Sequence, residues 1–133
     1  MQTFRKLVDT PSLTVSYDGP NDWLYIEWKG EHDKTSVLAG FEVIIRCLQA
    51  WECRKILNDS SQVTSSWETS AQWLGRDCLD SIAQQGVRYV AWIYSPLWSD
   101  QHAIDASMQF ITNPIVIMFE ELATAYAWLK QSR

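Results

Sequence analysis

Histidine and glycine are scarce in this chain, and its basic residues form no run. The 133 residues include two His and five Gly, and the eleven Lys and Arg are scattered from Arg5 to Arg133. Recognition of a phosphate backbone draws on clustered cations, and the formal net charge is −5. Nucleic acid is therefore not expected as a partner. Every glycine is isolated, which leaves no Gly-rich phosphate loop. A metal centre needs several convergent ligands. His32, between Glu31 and Asp33, is too local to build one, and His102 is far away in sequence. Both read as ordinary surface histidines, and neither a metal nor a cofactor is expected. No GxSxG element is present, and no Ser or Cys stands beside an oriented base. The Glu120-Glu121 pair is accounted for by a helix N-terminus. No catalysis is expected from these residues.

Cysteine and long apolar runs are also in short supply. Cys47, Cys53 and Cys78 make an odd count without CxxC spacing, so reduced, mostly buried thiols are expected rather than a disulfide framework. The stretch Met1-Gln2-Thr3-Phe4-Arg5-Lys6 lacks the apolar core of a secretion signal, and no run approaches the ~18 residues of a membrane span. The expectation is a cytoplasmic protein.

What the chain has in plenty is aromatic surface: eight Trp, five Tyr and four Phe. Each buried ring removes a large apolar area from water. A bulky core accounts for most of them; one or two surplus Trp would be free to line a pocket or an interface.

Residues 1–12 leave helix, strand and loose chain open. Leu13, Val15 and Tyr17 alternate with Thr14 and Ser16, a half-buried strand. Asp18-Gly19-Pro20-Asn21-Asp22 is turn chemistry, and Trp23 to Lys29 returns as the second strand of a hairpin. Gly30 ends it. Asp33 is placed to cap a helix whose apolar stripe is Val37, Phe41, Ile44, Ile45, Leu48 and Trp51. Cys53 to Asn58 reads as the third strand and Asp59 to Thr64 as a polar loop. Ser65 with Glu68 fits a capping box, opening a helix that buries Trp67, Ala71, Leu74, Cys78 and Ile82 and stops at Gly86. Trp73 sits one residue off that stripe. Val87 to Tyr94 suits a strand covered on both faces. Ser99 or Asp100 caps a third helix reaching about Ile111. Ile115 to Phe119 is the fifth strand. Residues 120–131 form the last helix, with Leu122, Ala125, Tyr126 and Leu129 inward.

The order ββαβαβαβα implies one α/β domain over residues 1–133. Its expected form is a mixed, mostly parallel five-stranded sheet with four helices. The stretches Leu24-Tyr25-Ile26-Glu27-Trp28-Lys29-Gly30, Lys55-Ile56-Leu57-Asn58-Asp59, Trp73-Leu74, Gly86-Val87-Arg88-Tyr89-Val90-Ala91 and Ala127-Trp128-Leu129 resemble, in order and spacing, the SpoIIAA-like (STAS/SEC14-type) family of small bacterial proteins. That resemblance implies the STAS fold and a role in protein–protein regulation. STAS proteins that antagonise anti-sigma factors are switched by phosphorylation of a Ser at the helix start after the third strand. Here that region offers Ser65 and Ser66 as candidate phosphorylation sites. Trp67 stands where the small Gly of the family's Asp-Ser-Ser-Gly signature would be, and Asp59-Ser60-Ser61 comes earlier, at the strand end.

In open α/β sheets, ligands and partners meet the loops at the carboxyl ends of the parallel strands. The expected binding residues are therefore Asn58, Asp59, Ser60, Ser61, Ser65, Ser66, Trp67, Trp73, Tyr94 and Trp98. The first expectation is a non-enzymatic module that binds a protein partner there. The alternative is a carrier of a small apolar ligand or lipid in a pocket under the same loops. A homodimer through the free edge of the hairpin is a further expectation.

Overall fold

Alternation and turn chemistry do build the hairpin. The computed structural model describes residues 4–70 and 75–133. In it β2 (Leu13–Asp18) pairs antiparallel with β3 (Trp23–Gly30). Asp18 closes the turn between them: its carboxylate accepts from the Asn21 backbone N–H and side-chain amide, and its carbonyl accepts from the Asp22 N–H. The open question at the N-terminus resolves as a strand. Phe4–Asp9 is β1, antiparallel to β2. The sheet therefore has six strands rather than the expected five, and the hairpin edge expected to self-associate is already paired.

From β3 onward the sheet is parallel. β4 (Lys55–Val63), β5 (Tyr89–Ile93) and β6 (Ile115–Phe119) follow side by side, so spatial order equals chain order, β1 to β6. Helix α1 (Lys34–Ala50) connects β3 to β4, and its cap is Asp33, whose carboxylate accepts from the Ser36 N–H. Among the described residues the expected second helix is represented by α2 (Trp67–Ser70) and α3 (Gly75–Gln84), which makes five helical elements against the expected four. Ala71, Trp73 and Leu74 lie outside the described residues. Helix α4 (Gln101–Met108) is capped by Asp100 and stops three residues short of Ile111. Helix α5 (Leu122–Gln131) closes the chain.

Crossovers that all step the same way place their helices on one face. Val37, Phe41, Ile44 and Leu48 of α1, Leu79 and Ile82 of α3, and Ile104 and Met108 of α4 share one core with Leu24, Ile26, Ile56, Val90 and Val116. Helix α5 covers the opposite face with Ala125 and Leu129 against Trp23, Leu57, Ala91 and Ile93. Leu122 and Tyr126, expected inward, are exposed. Tyr126 still sets its ring edge-on against Trp23, and Trp128 meets Tyr89 and Phe119. Among the described residues no helix is long and apolar enough to cross a membrane.

Trp28 sets the distance between α1 and the sheet. Its ring stacks on Phe41 at 5.5 Å and leaves no room for a side chain at Gly40, where an added Cβ would lie 2.4 Å from the ring. In an open helix Gly→Ala gains roughly 1 kcal/mol. Here Gly40→Ala is expected to cost about 1–3 kcal/mol by overpacking. A urea midpoint equal to or above wild type would show that the indole yields freely.

Candidate functional site

The carboxyl ends of β3, β4, β5 and β6 form the rim where a site was expected, and β4 determines what reaches it. β4 does not end at Asn58 but runs on to Val63, so the residues read as a polar loop are mostly strand. The register against β3 shifts between Glu27 and Lys29, which places a bulge at Ser60–Ser61. Asp59 holds it: one carboxylate oxygen accepts from the Ser61 N–H at 2.9 Å and the other from the Tyr25 hydroxyl at 2.9 Å. A bulge leaves an amide without its ladder partner, and a short acceptor two residues back supplies one.

Asn58 and Ser60 point the other way, beneath α1 and α3, and are buried. The Trp28 indole N–H donates to Asn58 Oδ1 at 2.8 Å, and the Trp92 indole N–H donates to Ser60 Oγ at 2.9 Å. Two polar side chains of an inner strand are thus matched by the indoles of its neighbours. The apolar cavity beside them, between Phe41, Leu79 and the sheet, holds only about 10 Å³.

The rim itself is tied shut. The Ser65 hydroxyl accepts from the His32 backbone N–H at 2.8 Å, and the Ser65 carbonyl accepts from the Trp98 indole N–H at 3.0 Å. Ser95, fully buried, donates to the Val63 carbonyl at 2.7 Å and accepts from the Leu97 N–H. His32 is not a surface histidine. It is buried edge-on against Trp28, with Nε2 facing the carbonyls of Ser12 and Lys29. Carbonyls only accept, so Nε2 carries its hydrogen. His102 is exposed on α4. The Tyr94 hydroxyl donates to Asp105 of α4, and burial, then that bond, then the charges of Asp105 and Glu120 push its pKa up.

The cap of α2 also differs from expectation. Ser66, not Ser65, accepts from the Thr69 N–H, because Ser65 turns its hydroxyl inward to His32. Of the expected site residues, Asn58, Asp59, Ser60, Ser65, Tyr94 and Trp98 are buried; Ser61 and Ser66 are exposed and Trp67 is half-buried. Trp73 lies outside the described residues. Of the two candidate phosphorylation sites, Ser66 is the one whose hydroxyl reaches the surface.

Among the described residues this rim has an opening. Between α2 and the segment leading into α4 is a cleft of about 140 Å³, lined in part by Ser66, Trp67, Glu68, Leu97, Trp98 and Asp100. Trp67 packs edge-on against Trp98 at 5.2 Å and against Trp92 at 5.9 Å, forming an aromatic wall. Leu97 is 58 % exposed beside it. Leu97 was not singled out from the sequence, and Glu68 and Asp100 were read there only as helix-capping residues. The available signal was an apolar residue in the turn Ser95-Pro96-Leu97, outside any strand or helix stripe. Among the described residues no group of three His, Cys, Asp or Glu is placed to hold a metal ion. No family model and no curated protein matches this chain.

Replacing Asn58 by Leu strands the Trp28 N–H in the core. An unmet buried donor costs about 1–3 kcal/mol, which urea denaturation would read. Adding Trp28→Phe removes the donor too, so the double variant should lose less than the sum of the two singles; strict additivity would mean that the hydrogen bond does not couple them.

Alkaline pH should loosen the fold. Burial pushes the Cys53 thiol up to about 12, and the hydrogen bond to Asp22 pushes Tyr17 up to about 12. Burial likewise raises Tyr25. The folded chain holds these protons more tightly than the unfolded chain. Their stabilisation is complete below the unfolded values, roughly pH 8.5 for Cys and 10 for Tyr, and is lost as pH rises towards the folded ones. The urea midpoint is expected to fall progressively above about pH 9. A flat midpoint up to pH 11 or so would contradict that linkage.

Proposed function

We propose that this chain is a non-catalytic, SpoIIAA-like (STAS-type) binding module of the bacterial cytoplasm, which docks a protein partner at the cleft between α2 and the lead-in to α4. The carrying observation is the make-up of that cleft: an aromatic wall of Trp67 and Trp98, an exposed Leu97 beside it, and the exposed carboxylates of Glu68 and Asp100. Its volume of about 140 Å³ is below the roughly 300–1,000 Å³ of small-molecule sites. It suits one apolar side chain of a partner, with Lys or Arg beside it to meet the carboxylates. The resemblance in the sequence stretches around β3, β4 and β5 supports the STAS-type reading, and three free cysteines suit a reducing compartment. The apolar cavity between Phe41, Leu79 and the sheet, at about 10 Å³, gives the apolar-carrier alternative little room there.

A photo-reactive side chain placed at Leu97, with exposed Leu38 of α1 as control, tests the docking site in host cells. A discrete protein adduct from position 97 is expected. It should weaken when Glu68→Lys and Asp100→Lys are combined, and position 38 should give none. Equal adducts at both positions, or none at 97, would count against the proposal. A shift of tryptophan emission with fatty acids, without any adduct, would favour the carrier instead.

A further inference from the structure

The two edges of the sheet are built differently. β1 carries the devices that keep an edge from pairing: Arg5, Lys6 and Asp9 along it, and a bulge between Lys6 and Val8. β6 has neither charge nor bulge. It reads Ile115-Val116-Ile117-Met118-Phe119 and pairs with β5 in unbroken register. Ile115 and Ile117 are 43 % and 41 % exposed on the face that α5 covers only in part. An uncharged apolar edge of this kind is a template for another strand.

The hydrogen bonds already made decide which groups are free. The Ile115 N–H donates to the Arg88 carbonyl, and the Phe119 carbonyl accepts from the Tyr94 N–H. In a parallel ladder such residues turn both their groups towards the same neighbour. Ile115, Ile117 and Phe119 therefore face β5, and Val116 and Met118 direct their N–H and C=O groups outward. A strand edge of alternating donors and acceptors is best met by another strand edge.

Charge then selects the strand and its direction. At the amino-terminal end of this edge stands exposed Arg88, next to β5; at the carboxyl-terminal end stand exposed Glu120 and Glu121. Two copies of β6 laid antiparallel bring the cationic end of each against the anionic end of the other. We infer that β6 pairs antiparallel with β6 of a second copy, about a two-fold axis at Ile117. In that register Val116 and Met118 of opposite chains exchange both backbone hydrogen bonds, Ile117 meets Ile117, and Ile115 meets Phe119. Glu120 falls opposite Pro114, which has no N–H to offer, and one strand away from Arg88. A parallel pairing would set Arg88 beside Arg88 and Glu120 beside Glu120.

Sedimentation equilibrium of the full chain at micromolar concentrations tests the pairing. The wild type should be a dimer. Ile117→Lys, at a site already exposed in the single chain, should raise the dissociation constant by at least about a hundredfold with an unchanged circular dichroism spectrum. Arg88→Glu alone should weaken the dimer about tenfold, and Arg88→Glu with Glu120→Arg should restore it. A monomeric wild type overturns the inference. So does a dimer that survives Ile117→Lys, or a double charge reversal no better than the single. Should Ile117→Lys fail to fold, the charge-reversal series, at exposed positions, decides alone.

Discussion

An inner strand of a parallel sheet, covered on both faces, has no water to offer a polar side chain. β4 nevertheless carries Asn58 and Ser60 into the core, and both are tolerated because the strands on either side each bring an indole N–H. The cost of an unmet buried polar group, about 1–3 kcal/mol, exceeds the roughly 1 kcal/mol net worth of a typical hydrogen bond. The pairing is thus mainly a constraint: with both indoles present the polar side chains of β4 are met, and with either missing one of them is left unmet in the core. The rest of the site follows from the same rings. Trp28, held by Asn58, packs against Phe41, sits over Gly40 and backs His32. Trp92, held by Ser60, backs Trp67, which meets Trp98 at the cleft.

That arrangement explains which hydroxyls of the segment leave the surface: Ser60 and Ser65 are buried, whereas Ser61, Thr64 and Ser66 stay exposed. The hydroxyls of Ser60, Ser65 and Ser95 each serve an internal partner: an indole, a backbone N–H, a carbonyl. They join β4 to β5 and link the segments that follow β3, β4 and β5. The cleft lies in the gap between α2 and the α4 lead-in rather than at the strand ends. The position of the cleft is therefore a packing outcome of Trp67 against Trp98, with charge supplied by groups whose first duties are local. Asp100 caps α4 through the Ala103 N–H, and Glu68 lies in the first turn of α2. Both remain exposed enough to present a carboxylate outward.

The elements with strong local signals were legible in the sequence. Period-two alternation marked β2, the Asp18–Asp22 turn marked the hairpin, and Asp33 and Asp100 marked their helix starts, because each of these rests on contacts within a few residues. β1 was not legible: Phe4-Arg5-Lys6-Leu7-Val8-Asp9 has the charges of an edge strand, and only its pairing with β2 makes it one. The extension of β4 through Asn58 to Val63 was missed for a related reason. Asn, Asp and Ser favour turns through short-range hydrogen bonds, and here long-range donors, the Trp28 and Trp92 indoles and the Tyr25 hydroxyl, override that preference. Ser65 lost its expected capping role the same way, to His32 from thirty-three residues before it. The element order brings these residues to the carboxyl ends of the parallel strands, but which of them face solvent depends on partners far off in the chain.

The cleft and the β6 edge are geometrically independent, and that limits how they can act together. A two-fold axis through an antiparallel strand pair reverses strand direction from one copy to the other, so the carboxyl-terminal rims of two paired copies point to opposite ends of the joined sheet. Each cleft, lying at such a rim, is then turned away from its twin. A short partner segment filling one cleft could not reach the second, and the gain from linked binding vanishes when the geometry forbids joint engagement. Two clefts held apart and facing outward instead suit the joining of two separate partner molecules. A continuous hydrogen-bonded sheet between them would be a stiff spacer, because bending it means straining the ladder that Val116 and Met118 of the two copies complete.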